Sequence, residues 1–480
     1  MLIDNILDLE TEELLNHRFT KYNFLIWPFI RAQIYNDIYL KITNSLTPSS
    51  HRENLSLKEN MAYIYNTFKY SPFKYSHLPI VFIVTQIAAT AKKNGKYFNR
   101  LHDYFALEYP YFTLMIEKSE RRKYKLPRYF DNIAFEDFIY IKPYSKSISK
   151  LLFKNFHNKD IIHINNFLEY LKKIFKKHIE SINLDNIYKK LLNYSVLSPL
   201  LYENYTKLFE KLVPSIVFIY AASGGKNKTH ITKAAKDMGI KVAEFQHGAI
   251  TYSHPFYNFS NKIFNSLEYK KYLPDYLLTW GKFWSDNMRH PSKKFEIGNP
   301  HFITMMEKYK RIKSYKISEK NIILVVSQGT LTKVFVEIVK ELSKKLSNDK
   351  YKIIFRLHPG EVPFEERYKE LYSFSNVEIN KTGDIYDLIF NSDYIVACYS
   401  TVIFEVLGFK KPIFIIDNQW SREYIPKEIG NWFEKVDELY QLIISNKTQE
   451  NKINNSEYYW DPNWQKNYKD FIENELYIKK

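Results

Sequence analysis

The sequence predicts an α/β protein made of two Rossmann-like domains with parallel sheets, preceded by additional N-terminal helices. Two series of short β-branched segments support this prediction, one starting near residue 215 and the other near residue 321. Within each series, helical segments of roughly 10–16 residues separate the apolar runs, a spacing typical of right-handed βαβ units. A chain of 480 residues is long enough for two or three domains.

The order of the segments sets the expected domain boundaries. We expect an N-terminal helical segment over residues 1–78 and a first Rossmann-like domain, with a helical insertion, over 79–306. A lysine-rich linker over 307–320 would lead to a second Rossmann-like domain over 321–450, and a helical tail over 451–480 would pack back on the body. The two sheets are expected to face each other across a cleft.

In the first half, "YNFLIWPFIRAQIYNDIYLKI" (22–42) predicts a helix, because its apolar residues recur at spacings of three and four. The β-branched run "LPIVFIVTQ" (78–86) predicts the first buried strand. Residues 110–210 are highly charged and are predicted to be mostly helical. Two further strands are predicted at "SIVFIYA" (215–221) and "IKVAEF" (240–245).

In the second half, strands and helices alternate closely. The predicted helices are "LTKVFVEIVKELSKKL" (331–346), "GDIYDLIFNS" (383–392) and "STVIFEVLGF" (400–409). The predicted strands are "NIILVVS" (321–327), "YKIIFRL" (351–357), "VEI" (377–379), "YIVAC" (394–398) and "PIFIID" (412–417).

Composition narrows the class of protein. The single cysteine, Cys398, excludes a disulfide framework and a cysteine-based zinc site, and it favours a reducing compartment. We expect a cytoplasmic protein, because no apolar run reaches the ~18 residues of a membrane span and the start lacks the pattern of a signal peptide. A net charge of +17 favours an anionic partner: nucleic acid, acidic lipid headgroups or a phosphorylated substrate. An ordinary solvated lysine-rich surface explains the charge equally well.

Unusual polar clusters follow several predicted strands of the second domain. Ligands bind beyond the carboxyl ends of strands in open parallel sheets, so these clusters are candidates for donor binding. Glu405 lies one helical turn after Thr401 in an apolar helix and needs a polar partner, which ribose hydroxyls or a buried cation would supply. For His358 the alternative is a histidine that caps a polar turn, and for Ser400 it is an ordinary N-cap serine. The candidates are Ser327, Gly329, Thr330, Arg356, His358, Pro359, Gly360, Ser400, Thr401 and Glu405.

A second set of candidates lies in the first domain. "EFQHG" follows a predicted strand and supplies Glu244 and His247 as acid–base or phosphate-binding groups, with Gln246, Gly248 and Asn299 as further cleft residues. "NRLHDYF" supplies His102 and Asp103, either of which is a candidate for the base that deprotonates an acceptor hydroxyl. Ordinary loop or surface positions remain open as alternatives for these residues. No cluster suggests a metal site, and no cofactor is expected.

These motifs carry a family resemblance. "DYLLTWGKFW", "IGNPHF", "RLHPGE" and "SDYIVACYSTVIFEVLGFKKPIFIID" occur in the order seen in polyol-phosphate transferases of teichoic acid synthesis, which have the GT-B fold of two Rossmann-like domains. The "HP" and "ST" pair is also similar to sialyltransferases and Kdo transferases that use CMP-sugars. The resemblance implies that His358, Ser400 and Thr401 contact the donor phosphate, and that His247 faces the reacting phosphate or acceptor. Cys398 stands where the polyol transferases have an aspartate.

The resemblance implies a metal-independent GT-B glycosyltransferase of capsule or lipopolysaccharide biosynthesis. Residues 321–450 would bind a nucleotide-sugar donor, with CMP-linked sugars favoured, and residues 79–306 would bind a glycan or lipid-linked acceptor. The basic N-terminal half would contact the anionic inner face of the cytoplasmic membrane. The nearest alternative is a CDP-polyol phosphotransferase, and a sugar-nucleotide epimerase is another. A basic RNA-binding or scaffold protein is the alternative from a different class. We expect no nucleic acid partner, because no RNA-recognition motif is present.

Overall fold

The computed structural model describes residues 2–42, 56–84, 91–152, 156–312, 319–445 and 456–476. Within them the strands are β1 (Ile80–Val84), β2 (Ala91–Lys93), β3 (Lys96–Phe98), β4 (Thr113–Glu117), β5 (Ile133–Phe135), β6 (Ile216–Ile219), β7 (Lys241–Phe245), β8 (Tyr276–Thr279), β9 (Lys293–Glu296), β10 (Asn321–Val326), β11 (Tyr351–Arg356), β12 (Val377–Asn380), β13 (Tyr394–Ala397), β14 (Ile413–Ile416) and β15 (Asn431–Phe433).

The helices of the described residues run over the following spans. They are α1 (Leu2–Leu7), α2 (Glu12–Asn16), α3 (Trp27–Ile42), α4 (Leu57–Lys69), α5 (Asp103–Glu108), α6 (Asp137–Leu152), α7 (Asn158–Ile174), α8 (Leu184–Leu212), α9 (Thr229–Asp237), α10 (Asn261–Asn265), α11 (Leu267–Lys270), α12 (Lys282–Asp286), α13 (Pro300–Arg311), α14 (Thr332–Lys345), α15 (Ile385–Asn391), α16 (Val402–Phe409), α17 (Gln419–Tyr424), α18 (Val436–Ser445) and α19 (Trp464–Leu476).

The chain forms two compact units. The first contains the described residues of 1–39, 52–301 and 461–480, and the second contains those of 40–51 and 302–460. None of the described helices combines the length and the apolar character that a membrane-crossing helix needs.

The first unit is built on a seven-stranded sheet in the order β5-β4-β1-β6-β7-β8-β9. All of its paired strands are parallel, and the inner strand β1 aligns Ile80 with both Thr113 and Ile216. β1 is buried along its whole length, as expected of a parallel strand covered on both faces. Buried residues of α8 and α9 pack on one face of the sheet, and buried residues of α19 pack on the other.

The second unit is built on a six-stranded parallel sheet in the order β12-β11-β10-β13-β14-β15. β10 lies between β11 and β13, so the carboxyl ends of these three strands are neighbours at one edge. Buried residues of α14 and α18 pack against the sheet, including Phe335, Val339 and Leu439.

The predicted fold class is confirmed: the chain is α/β, with parallel sheets in two Rossmann-like units and additional N-terminal helices α1–α4. The expectation of mostly helix over 110–210 missed β4 and β5, which are only five and three residues long. The first residues of the predicted linker are helical, because α13 continues to Arg311. Residues 85–86 of the first predicted strand, 313–318 of the linker, and 451–455 and 477–480 of the tail lie outside the described residues.

Candidate functional site

In the first unit, a buried carboxylate network lies at the carboxyl end of β7. Glu244, the penultimate residue of β7, is fully buried. Its Oε2 accepts hydrogen bonds from the backbone N–H (2.7 Å) and the hydroxyl (2.5 Å) of Ser223, and its Oε1 accepts one from the hydroxyl of Tyr257 at 2.5 Å. Burial raises the pKa of Glu244 to about 7, although these hydrogen bonds oppose the shift.

His247 is joined to this network through Tyr257. Nδ1 of His247 lies 3.3 Å from the Tyr257 oxygen, and the imidazole packs on the ring of Tyr220 with centroids 4.5 Å apart. Since the Tyr257 proton is donated to Glu244, the tyrosine oxygen acts as the acceptor from Nδ1–H of His247, and the lone pair is then on Nε2. Burial lowers the pKa of His247 to about 4, so the imidazole is neutral at pH 7. A neutral imidazole with its lone pair on Nε2 can accept a proton.

His247 lines a cavity of about 420 Å³ at the same edge of the sheet. The loop from Tyr220 to Lys228 after β6 forms one wall, and Lys118, Glu136 and His254 lie on other walls. Gly225 in this loop has φ +61°, and a Cβ there would lie 2.1 Å from the carbonyl oxygen of Pro28 in α3. Helix α3 therefore packs directly against this wall, and only glycine fits at position 225 without a steric clash.

The other cleft candidates of the first unit have mainly structural contacts. Gln246 is buried. Its side-chain amide donates to the carbonyl of Gly248 at 2.8 Å and accepts a hydrogen bond from the backbone N–H of Trp280 at 2.9 Å. A Cβ at Gly248 would meet nothing within 4 Å, so local packing does not demand glycine there. Asn299 is buried directly before α13.

His102 and Asp103 lie at the start of α5 and are both buried, and neither lines the cavity. Asp103 Oδ1 and Glu117 Oε1 each lie 2.9 Å from Nη2 of Arg128, forming a buried ion cluster. Burial raises the pKa of Asp103 to about 6 and lowers that of His102 to about 3. The contacts of Asp103 stabilise the loop before α5, and the prediction that one of these residues is the catalytic base stays a prediction.

In the second unit, the loop after β11 is fixed to the end of β10 by a buried carboxylate. Oγ of Ser327 donates to Oε2 of Glu361 at 2.6 Å and accepts from the backbone N–H of His358 at 2.9 Å. Oε1 of Glu361 accepts from the Tyr368 hydroxyl. A Cβ on Gly329 would lie 3.1 Å from the Glu361 side chain, so glycine allows this close packing.

His358, Pro359 and Gly360 are exposed at this edge. Nδ1 of His358 accepts the backbone N–H of Gly360 at 3.1 Å, so the proton of the neutral ring is on Nε2, a donor suited to a phosphate oxygen. Desolvation lowers the pKa of His358 from its usual value, with nearby Glu361 opposing the shift.

The remaining donor-binding candidates lie around the same edge. Thr330 shares a hydrogen bond with the hydroxyl of Tyr399, whose ring stacks on Trp420 at 4.9 Å. Arg356 holds the loop after β12, donating to Asn380 and to the carbonyls of Thr382 and Gly383. These hydrogen bonds fix the loop after β12, and the prediction that Arg356 binds the donor stays a prediction.

Ser400 and Thr401 immediately precede α16, one strand away from the His358 loop across β10. Oγ of Ser400 accepts the N–H of Val402 at 3.3 Å, and Thr401 is the N-cap residue. Glu405 accepts from the hydroxyl of Tyr386 at 2.9 Å, so a tyrosine satisfies the predicted need for a polar partner. β11 and β13 are two strand spacings apart, about 10 Å, which places both groups within reach of one nucleotide.

Sequence reasoning missed Tyr257, and it assigned no role to Glu361 or to the cavity lysines. Glu361 stands in the quoted "HPGE" motif, and its spacing of three from His358 was the available signal. Tyr257 lies ten residues after His247 in an irregular loop, and no periodic pattern predicts that contact. Within the described residues, no group of three or more His, Cys, Asp or Glu side chains is arranged to hold a metal ion.

The second unit is similar to one known protein family. A family model described as CDP-Glycerol:Poly(glycerophosphate) glycerophosphotransferase matches residues 329–454. No curated protein sequence matches the chain. The match indicates that the chain is a transferase enzyme, and it agrees with the resemblance to polyol-phosphate transferases. The resemblance to CMP-sugar sialyltransferases and Kdo transferases gains no support.

Solved structures with a similar arrangement of elements have low identity. UDP-GlcNAc 2-epimerase from Neisseria meningitidis bound to UDP-GlcNAc is 14% identical, with a TM-score of 0.48 over 83% of this chain and 99% of that chain. The S. aureus MnaA–UDP structure is 13% identical, with a TM-score of 0.45 over 83% and 97% of the chains. A variant of the wall teichoic acid polymerase TagF soaked with CDPG is 12% identical, with a TM-score of 0.40 over 87% and 91%. These scores are too low to carry a conclusion about activity.

Proposed function

We propose that the protein transfers a polyol phosphate from a CDP-linked polyol, such as CDP-glycerol, to the end of a teichoic-acid-like acceptor. The observation that carries this proposal is the glycerophosphotransferase match over residues 329–454, which covers the loop of His358 and the start of α16. Glycosyl transfer from a CMP-linked sugar to a surface glycan is the second candidate, favoured only by the "HP" and "ST" motifs.

In this reaction an acceptor hydroxyl attacks the phosphorus of the transferred polyol phosphate. A new P–O bond forms to the acceptor, the P–O bond to CMP breaks, and CMP leaves with the bond electrons. Nε2 of His247 accepts the hydroxyl proton, and Tyr257 and Glu244 orient the ring and stabilise its positive charge.

The second unit would bind the donor. Nε2–H of His358 and the hydroxyls of Ser400 and Thr401 would stabilise negative charge that develops on the leaving CMP phosphate. The buried Glu361 acts indirectly, because its bonds to Ser327 and Tyr368 fix the loop that presents His358. Glu405 and Tyr386 would contact the ribose. No step uses a metal ion, and metal independence is part of the proposal.

The proposal includes contact with an anionic membrane surface, where lipid-linked acceptors are presented. Leu57, Met61, Ile64, Tyr65 and Phe68 of α4 form an apolar stripe, and all are more than half exposed. The adjacent helix α6 exposes Ile141, Tyr144 and Ile148 beside Lys142 and Lys146. An exposed apolar stripe flanked by lysines fits the interface of an acidic bilayer, into which the stripe would insert.

A donor panel tests the proposed reaction. The full chain is incubated with CDP-glycerol, CDP-ribitol, CMP-sialic acid, CMP-Kdo or UDP-GlcNAc, with lipid-linked acceptor, and the released nucleotide is measured. We expect CMP release from a CDP-polyol that requires the acceptor and is lost in His358→Ala. Release from a CMP-sugar alone would establish the second candidate, and conversion of UDP-GlcNAc without acceptor would establish an epimerase instead.

A further inference from the structure

The cavity beside His247 carries an excess of positive charge. Lys118, Lys226 and Lys228 line it, and Glu136 is its one acidic lining residue among the described residues. No carboxylate of a described residue forms an ion pair with any of the three ammonium groups, although the structure contains many such pairs elsewhere. The Glu136 carboxylate instead accepts a hydrogen bond from the Tyr205 hydroxyl at 2.8 Å. The lysines are therefore available to an anionic ligand.

The walls hold these cations in place. Nζ of Lys118 lies 5.2 Å from the centroid of the Tyr140 ring, and Nζ of Lys226 lies 5.4 Å from that of Phe256. Contact with aromatic faces orients an ammonium group without neutralising it. Lys228 is only partly exposed, and desolvation lowers its pKa from the usual value, with nearby Glu136 opposing the shift.

The backbone of the loop from Tyr220 to Lys228 also favours binding of an anion. Gly224 and Gly225 line the cavity, and α9 begins directly after Lys228 with its N-terminus, the positive end of the helix dipole, next to the loop. A volume of 420 Å³ is enough for a phosphate or pyrophosphate with a few attached carbon atoms. A nucleic acid duplex is too wide to enter this cavity.

We propose that this cavity binds a phosphate group of the acceptor, as a phosphodiester or pyrophosphate, and holds the acceptor hydroxyl next to His247. The inference rests on the proposed function and adds the place where the acceptor's phosphate binds. It also assigns Lys118, Lys226 and Lys228 as acceptor-binding residues. The phosphate has two sources, a lipid-linked pyrophosphate or the terminal phosphodiester of the growing polymer.

The first test measures anion binding by the full chain. Inorganic pyrophosphate is titrated at low salt into the wild type, Lys226→Met, Lys228→Met and the double variant. Lys241→Met is the matched control, because Lys241 is an exposed lysine at the start of β7, the opposite end of that strand from the cavity. We expect each single variant to weaken binding about tenfold and the double variant about a hundredfold, with the control within about twofold.

Binding that is equally strong in the double variant and the wild type would overturn the inference, as would the absence of pyrophosphate binding by the wild type. Lys226 is exposed, so its variant is expected to fold even if Lys228→Met does not. In the second test, the acceptor KM of Lys226→Met should rise about tenfold while the KM for CDP-glycerol stays unchanged. Unchanged acceptor KM for both a lipid-pyrophosphate acceptor and a polymer acceptor would contradict it, and a rise for one alone identifies the source of the phosphate.

The two tests distinguish failure of this inference from failure of the proposed function. If the wild type neither binds nor consumes CDP-glycerol but its pyrophosphate binding depends on the lysines, the anion site stands and the proposed donor is wrong. If CDP-glycerol is consumed and the lysines prove irrelevant to both pyrophosphate binding and acceptor KM, the donor stands and this inference is wrong.

Discussion

Nδ1 of His247 lies 3.3 Å from the hydroxyl oxygen of Tyr257, which in turn donates to the buried carboxylate of Glu244. This relationship fixes the tautomer of the histidine and leaves Nε2 to accept a proton. The N-terminal helices also support it, because Arg31 of α3 donates to the carbonyls of Pro255 and Asn258 at 2.7 and 2.6 Å, on either side of Tyr257.

Replacing His247 removes the proposed base. We expect His247→Gln to lower kcat about 10²- to 10⁴-fold, the usual contribution of general base catalysis. Affinity for CDP-glycerol, measured by calorimetry, should stay unchanged, because the proposed function assigns donor binding to the second unit. His163→Gln, at an exposed histidine of α7, is the control and should keep full activity. A variant at 247 with wild-type kcat would show that His247 is not the base.

Replacing Tyr257 tests its positioning role. Tyr257→Phe removes one hydrogen bond to Glu244 and the oxygen that accepts from His247. We expect kcat to fall about tenfold, the value of roughly one hydrogen bond, while both KM values stay the same. Steady-state kinetics at several pH values measure this. A rise in KM with kcat unchanged would instead mean that Tyr257 contacts a substrate.

Alanine substitutions at two glycines with positive φ distinguish the cost of backbone strain from the cost of a steric clash. Gly239 has φ +73° and nothing within 4 Å of its ideal Cβ, so Gly239→Ala should cost about 1 kcal/mol of unfolding free energy. Gly225→Ala adds a clash with the carbonyl of Pro28, and we expect a cost of about 3 kcal/mol. Denaturant unfolding measures both. Equal costs would mean that α3 does not pack against the loop.

His230 should make the protein acid-sensitive. It is buried, and burial lowers its pKa to about 3, whereas the unfolded value is near 6.5. Between these values the unfolded chain binds the extra proton, so stability falls as the pH drops below about 6.5. Relative to His230→Leu, the wild type should lose about 2 kcal/mol between pH 7 and pH 5. Urea unfolding of both proteins at the two pH values measures the difference, and a constant difference would contradict the prediction.

The apolar stripe of α4 can be tested with vesicles. We expect the wild type to float with phosphatidylglycerol vesicles at low salt, and the variant with Leu57→Ser, Met61→Ser and Ile64→Ser to remain in solution, because each side chain contributes about 1.5–3 kcal/mol on burial. Leu267→Ser, at an exposed leucine of α11, is the control and should float like the wild type. Flotation of the triple variant would show that this stripe is not the contact.

Local patterns predicted most of the fold because buried parallel strands are continuous apolar runs, such as Ile353 to Phe355, flanked by amphipathic helices. β4 and β5 were missed because they are short and lie among charged segments. Strand ends also predicted where His247, His358 and Ser400 lie. The partner of His247 was not predictable, because Tyr257 reaches it through an irregular loop. The lysines at 118 and 228 are brought together only by the strand order.

The fate of the donor phosphate tests the central claim most directly. CDP-glycerol labelled with ³²P at the phosphate next to glycerol is incubated with the full chain and a lipid-linked acceptor, and the label is followed by chromatography. Polyol-phosphate transfer predicts that the label enters the acceptor in equal amount to the CMP released, and that His358→Ala and His247→Gln each slow both about a hundredfold or more. Label that remains on the nucleotide or on free glycerol phosphate, with none in the acceptor, would contradict the account.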